Sequence, residues 1–178
     1  MTSRIGFAVP LLLLVVCACS SAPSRPILAT FDACTLLTAA DIAEVQGEKP
    51  VESTPSEQAD GTAIMHQCFF RLGEFSKSIS ISAATVGRAH WDRMFAERKG
   101  SEEEEKRERE GRGNTARRKV RGLGNEAYWL PTPVGGTLYV RQGENLLRIG
   151  IGGSANDADR LAKAVALARR ALPRLPAM

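Results

Sequence analysis

The chain has 178 residues, with 24 Lys+Arg against 20 Asp+Glu and a hydrophobic fraction of 43%. That length suits one domain, and that fraction is enough to build a core. The formal net charge of +4 is too mild to imply a nucleic-acid partner.

Met1 to Ala18 reads as a signal peptide, with Arg4 as its basic start and Ile5 to Val16 as its apolar run. The run is shorter than the about 20 residues needed to span a bilayer. The residues Val16-Cys17-Ala18-Cys19-Ser20-Ser21 resemble a bacterial lipobox. Cys19 is the expected acceptor of lipid, because small Ala18 precedes it, whereas β-branched Val16 precedes Cys17. An ordinary cleaved secretory signal and an uncleaved anchor are the alternatives. Acylation of Cys19 would tie the chain to a lipid bilayer, each buried CH₂ contributing about 0.8 kcal/mol. The expected location is the cell envelope: the outer face of the membrane in a Gram-positive cell, or the periplasmic side in a Gram-negative one. Ser20, in place of an aspartate, favours the outer membrane in the second case. Loss of Arg4 with the leader lowers the net charge by one. Export argues against nucleic acid more strongly than charge does.

Two cysteines remain in the mature chain, Cys34 and Cys68. An even pair in an oxidising compartment is expected to form a disulfide. Closing a loop of about 35 residues contributes on the order of 3–4 kcal/mol in the chain-entropy argument. A metal site is the less favoured alternative, since no histidine stands at ligand spacing. No cofactor or metal is expected.

Residues 19–30 read as a flexible tether, rich in Ser, Ala and Pro. Residues 31–178 read as a single domain with a charged insert near 100–114. Thr38 caps a first helix, with Asp41 as the return half of a capping box and Leu37 and Ile42 as a staple. Gly47 stops it. Pro50 to Gly61 reads as an exposed loop.

Met65 to Leu72 is a strand. Lys77 to Thr85 is another: Ile79, Ile81 and Ala83 alternate with Ser78, Ser80 and Ser82, which predicts one wet or lightly covered face. Ala89 to Lys99 has helical spacing, with Trp91, Met94 and Phe95 as its apolar stripe. Glu102 to Glu110 is almost wholly charged and expected to project into solvent, supported by i,i+4 pairs. Val120 to Leu130 is a strand block, Pro131 to Gly136 a turn, and Thr137 to Arg141 and Leu146 to Ile151 form a hairpin. Ser154 with Asp157 caps the last helix, whose stripe is Leu161, Ala164, Val165, Ala168 and Leu172. The prediction is an α+β domain: an antiparallel sheet of about five strands with helices mainly on one face, in the order α-β-β-α-β-β-β-α.

Three elements carry a family resemblance. Cys34-Thr-Leu-Leu-Thr-Ala-Ala-Asp41 places a cysteine just before a helix start. Cys68 lies in a strand. Gly122-Leu-Gly-Asn-Glu-Ala-Tyr128 then precedes a Val140 to Leu146 hairpin. Together they resemble the small secreted lipoproteins of the actinobacterial DUF3558 type and, more distantly, the extracellular sensor domain of mycobacterial PknH-like kinases. The resemblance implies an exported, disulfide-bonded domain and brings no catalytic residues with it. The charged insert departs from the pattern.

Catalytic chemistry finds little footing. Gly122-x-Gly124 is followed by Tyr128, Trp129 and Pro131, which do not open the helix a dinucleotide fingerprint needs. His66 and His90 are the only histidines, and an oxidised Cys68 is no nucleophile. A Ser–His–Asp grouping assembles across a fold, and clustering of either histidine with a serine and an aspartate would revive a hydrolase. Trp91, Tyr128 and Trp129 are the candidate ligand-contacting residues; aromatics at such spacing are more commonly core. Tyr128 and Trp129 are neighbours in a strand, so one must face the less buried side. The expected function is a non-enzymatic envelope lipoprotein that binds a small ligand or an envelope protein through its sheet. The alternative is a structural or accessory subunit using Glu102 to Glu110, with a hydrolase third.

Overall fold

A computed structural model describes residues 31–59, 63–95, 117–153 and 156–176. The leader, Cys19, the tether and the whole charged insert lie outside these residues. Among the described residues, three α-helices accompany seven strands: α1 (Ala39–Gln46), α2 (Arg88–Phe95), α3 (Asp157–Ala171), β1 (Glu52–Ala59), β2 (Ile64–Arg71), β3 (Ile79–Thr85), β4 (Arg118–Val120), β5 (Glu126–Thr132), β6 (Gly135–Gln142) and β7 (Asn145–Gly152). All strands join one antiparallel sheet in the order β1-β2-β3-β7-β6-β5-β4.

The α+β class and antiparallel sheet agree with the sequence reading, but five strands become seven. The expected loop Pro50 to Gly61 contains β1, an edge strand exposed along its whole length. It pairs with β2 from Glu52↔Arg71 to Ala59↔Ile64. The expected block Val120 to Leu130 splits at a glycine bend into β4 and β5. Gly122 and Gly124 take left-handed φ of 70° and 56° there, a conformation that glycine adopts without a Cβ penalty. The turn after β5 narrows to Pro133–Val134, because β5 runs through Thr132 and β6 starts at Gly135.

Helix α1 starts as its sequence dictates. Thr38 Oγ1 accepts from the Asp41 N–H at 3.1 Å, and Asp41 Oδ2 accepts from the Thr38 N–H at 2.8 Å. Gly47, at φ 86°, closes it by donating to Ala43 O. Helix α3 differs: Ser154 lies outside the described residues, and Asn156 is the N-cap, its side chain accepting from Asp159 N–H at 2.8 Å. Asp157 is freed from capping and serves the core instead.

Helices α1 and α3 cover the first face of the sheet. Ile42, Ala164, Leu167, Ala168 and Ala171 bury against Phe70, Ile79, Ile81, Leu138, Val140, Leu147 and Ile149. Leu161 and Val165, expected in the buried stripe, are half-buried at its margin. Helix α2 sits on the second face, so the helices are not all on one side. Cys34 and Cys68 form a disulfide that ties the segment before α1 to β2.

Asp41 links α1 to the C-terminal end of the fold. Its Oδ2 accepts from Arg174 at 2.6 Å, and Arg170 Nε lies 3.5 Å from Oδ1. Burial works against ionisation here. Hydrogen bonds from the Arg174 guanidinium and from the Thr38 N–H and hydroxyl outweigh it and hold the carboxyl down at about 2. A depressed carboxyl stabilises the fold fully above its ordinary value of 3.8 and ceases to do so as pH falls through about 2. Asp41→Asn is therefore expected to destabilise by about 2 kcal/mol at pH 7. It should also flatten the loss of stability between pH 4 and pH 2, as read by urea unfolding across that range.

Candidate functional site

Strand alternation puts even-numbered positions of β3, β5 and β7, and odd-numbered positions of β2, β4 and β6, on the second face. Directly paired residues draw one row across six strands: Gln67, Ser82, Arg148, Tyr139, Tyr128 and Lys119. Such partners lie about 4.5–5.5 Å apart at Cβ. A second row beside it reads Phe69, Ser80, Gly150, Thr137 and Leu130.

Helix α2 covers one end of this face. Trp91, at 1% exposure, and Phe95 pack on Ala84 and Leu146, with Met65, Tyr128 and Tyr139 around them. The Phe95 ring stacks on Tyr128 at 4.8 Å and meets Tyr139 edge-on at 5.3 Å. The Trp91 indole N–H donates to Glu126 Oε2 at 2.7 Å, and Arg141 Nε stands 3.6 Å from the same oxygen. Arg117 lies over the Tyr128 ring at 4.8 Å and donates to Phe95 O at 2.9 Å.

Arg148 is different. Its guanidinium carbon lies 5.9 Å from the Tyr139 ring centre. Its Nε is buried, and no hydrogen-bond acceptor or carboxylate among the described residues reaches it. The Nε atoms of Arg141 and Arg160 are likewise buried without a hydrogen-bond partner among the described residues, but each of those guanidiniums donates through another nitrogen. Arg117 donates to Phe95 O, Arg141 to Gly143 O, Arg160 to Thr132 O, and Arg170 to Ala166 O and Glu44. A guanidinium stays charged at any ordinary pH and presents five donors. A half-buried one without an acceptor is a place where a ligand's acceptor improves the energy.

The three aromatics singled out from the sequence divide between the faces. Trp91 and Tyr128 come together at 5.9 Å on the second face. Trp129 points to the first face, wholly buried, its indole N–H donating to Asp157 Oδ1 at 2.8 Å. In this conformation neither indole offers surface to a ligand, while Tyr128 is half-buried. Sequence reasoning missed Arg148. Its signal was a lone cation in the apolar run Leu146 to Ile151, on the opposite parity to Leu147 and Ile149.

A separate cleft of about 290 Å³ lies at the β1 edge, lined by Phe31, Asp32, Pro55, Ser56, Glu57 and His66 among others. It gathers a histidine, a serine and an aspartate, but not as a catalytic relay. His66 is 1% exposed. Its Nδ1 lies 2.9 Å from Glu57 Oε1, an ion-pair distance if the ring is protonated. Neither ring nitrogen is aligned with a hydrogen-bond partner. Ser56 pairs with Gln67 and Glu57 with His66, so the serine side chain leaves the sheet on the face opposite to the imidazole. His90 lines a different hollow, with Arg93 and Thr85. Cys68 is held in the disulfide. Among the described residues no group of three His, Cys, Asp or Glu is placed to hold a metal ion, and no helix is long and apolar enough to cross a membrane.

No protein-family model matches the chain, and neither does any curated protein or any solved structure.

Proposed function

We propose that the chain is an exported, lipid-anchored envelope protein whose domain binds a small ligand or a partner protein across the second face of its sheet, without catalytic chemistry of its own. The observation that carries this reading is Arg148: a half-buried cation with no acceptor among the described residues, in the middle of a sheet face of which α2 covers one end. Folded proteins rarely keep such a group unsatisfied unless a ligand or ordered water completes it.

The address rests on Val16 to Ser21, with Cys19 as the acylated residue and residues 1–18 as the discarded leader. The oxidised Cys34–Cys68 pair suits an exported chain. Kinship with the DUF3558-type lipoproteins rests on the motifs around Cys34, Cys68 and Gly122 to Tyr128. The last of these has a plain structural role. Asn125 N–H donates to Arg141 O at 2.7 Å and its side chain accepts from Gly143 N–H at 2.6 Å, clamping the bend onto the β6–β7 hairpin.

Mass spectrometry of the protein taken from its own envelope tests both parts. The expected polypeptide begins at acylated Cys19 and lacks two hydrogens relative to the dithiol. Under native conditions a bound mass should accompany the wild type and be missing from Arg148→Met. An unacylated chain with free thiols would remove the address, and an unchanged bound mass in the variant would remove the site.

A further inference from the structure

Resting on the reading of the second face as a binding surface, we infer that its ligand is a small organic oxyanion, a carboxylate or a phosphate monoester on an apolar body. The anion sits on Arg148, and the body lies over the strip formed by Ser80, Gly150 and Thr137.

The carboxylates that this face of the sheet carries are already engaged: Glu52 by Arg71 at 3.0 Å, and Glu126 by Trp91 and Arg141. The Arg148 Nε has no such partner among the described residues, and Lys119 stands in the same row, so the face carries positive charge. The neighbours of Arg148 suit an oxyanion. Ser82 and Tyr139 flank it as direct cross-strand partners, and Gln67 follows Ser82 in the same row. Hydroxyl and amide donors beside a guanidinium fork are the groups that bind carboxylate or phosphate oxygens.

Ser80 and Thr137 pair with Gly150 on either side, making a low strip next to Arg148. The strip is filled to its floor, since a Cβ at Gly150 would meet Ser80 Oγ at 2.4 Å. Phe69 and Leu130 close its two ends. Phe75 adds a ring 6.1 Å from Phe69 and is itself 70% exposed. Two strand spacings and two residues separate Phe69 from Arg148, about 12 Å at Cα. A single aromatic or short alkyl body spans that interval with its charged end on the guanidinium.

The test is a titration of the ¹⁵N-labelled full chain, held in neutral phosphatidylcholine nanodiscs, following the Arg148 side-chain Nε–H resonance and the sheet amides. The probes are 4-fluorophenyl phosphate, 4-fluorobenzoate, 4-fluorobenzyl alcohol, 4-fluorobenzylamine and inorganic phosphate. Saturable shifts at Arg148 Nε–H and in β3, β6 and β7 are expected with the two aryl anions, and their relative affinity separates a phosphate from a carboxylate ligand. Inorganic phosphate should bind more weakly than the aryl phosphate. Arg148→Met should weaken binding by roughly tenfold or more, and Arg148→Lys should retain part of it. The Lys variant and the wild-type resonance remain decisive if the Met variant does not fold. Alcohol or amine binding as tightly as the anions at these resonances would overturn the oxyanion while leaving the face as a binding surface. Saturable shifts confined to other surfaces would overturn the face itself. No saturable response to either anion would overturn the inference.

Discussion

Trp129→Ala is expected to destabilise the domain by about 3–5 kcal/mol, the range seen when a large buried aromatic is cut back. Trp129 is wholly buried on the first face of β5, beside the start of α3. Its indole N–H donates to Asp157 Oδ1, and Asp157 also pairs with Arg118 of β4. The ring therefore joins the sheet, the helix start and the edge strand. Space beneath it is already used: a Cβ at Gly136 would lie 2.1 Å from the indole Cζ2. Backbone packed this closely on a ring belongs to a rigid sheet that collapses little into a void, which places the cost toward the upper end of the range. Trp129→Phe should lose less, about 1–3 kcal/mol, mainly through the unpaired Asp157 oxygen. Urea unfolding of the two variants beside the wild type reads both losses. Equal and small effects would mean that α3 is not docked through this ring.

The second large effect is expected from the disulfide. Cys34 and Cys68 are 34 residues apart in sequence, and Cys68 is wholly buried in the core. Replacing both by alanine should destabilise by about 3–4 kcal/mol, chiefly by freeing the unfolded chain. For a domain of this size that corresponds to a fall in Tm of roughly 10 °C. Reduction of the wild type should reproduce the loss. Thermal melts with and without reductant make the comparison, and coincident melts would show that the bridge does not constrain the unfolded chain.

Local physics made much of this fold readable from residues. The serine–isoleucine alternation of β3 and the Thr38–Asp41 capping box have near-neighbour causes, and the cysteine pair follows from there being two cysteines to join. Strand β1 gave no such signal. Glu52 to Ala59 holds no large apolar residue and includes Pro55, because an edge strand exposed along its length buries nothing and has no hydrophobic period to display. Strand β4 is three residues long and owes its place to pairing with β5. The side on which α2 packs was equally hidden: Trp91 and Phe95 show that a face is buried, not which sheet surface buries it.

The candidate site was half legible for the same reason. Adjacent Tyr128 and Trp129 had to face opposite ways in a strand, and they do. Arg148 looked like one polar residue in an apolar strand. What singles it out is a guanidinium that donates to no acceptor among the described residues, a property of the paired strands together that no short window of sequence contains.

Site-specific photo-crosslinking in intact cells bears most directly on whether the second face is where the protein works. A photoreactive residue at Thr137, in the strip beside Arg148, should give a discrete adduct that disappears with Arg148→Met. The same residue at Arg169, on the exposed side of α3, should give none. Adducts at Arg169 alone, or at Thr137 regardless of Arg148, would contradict the account.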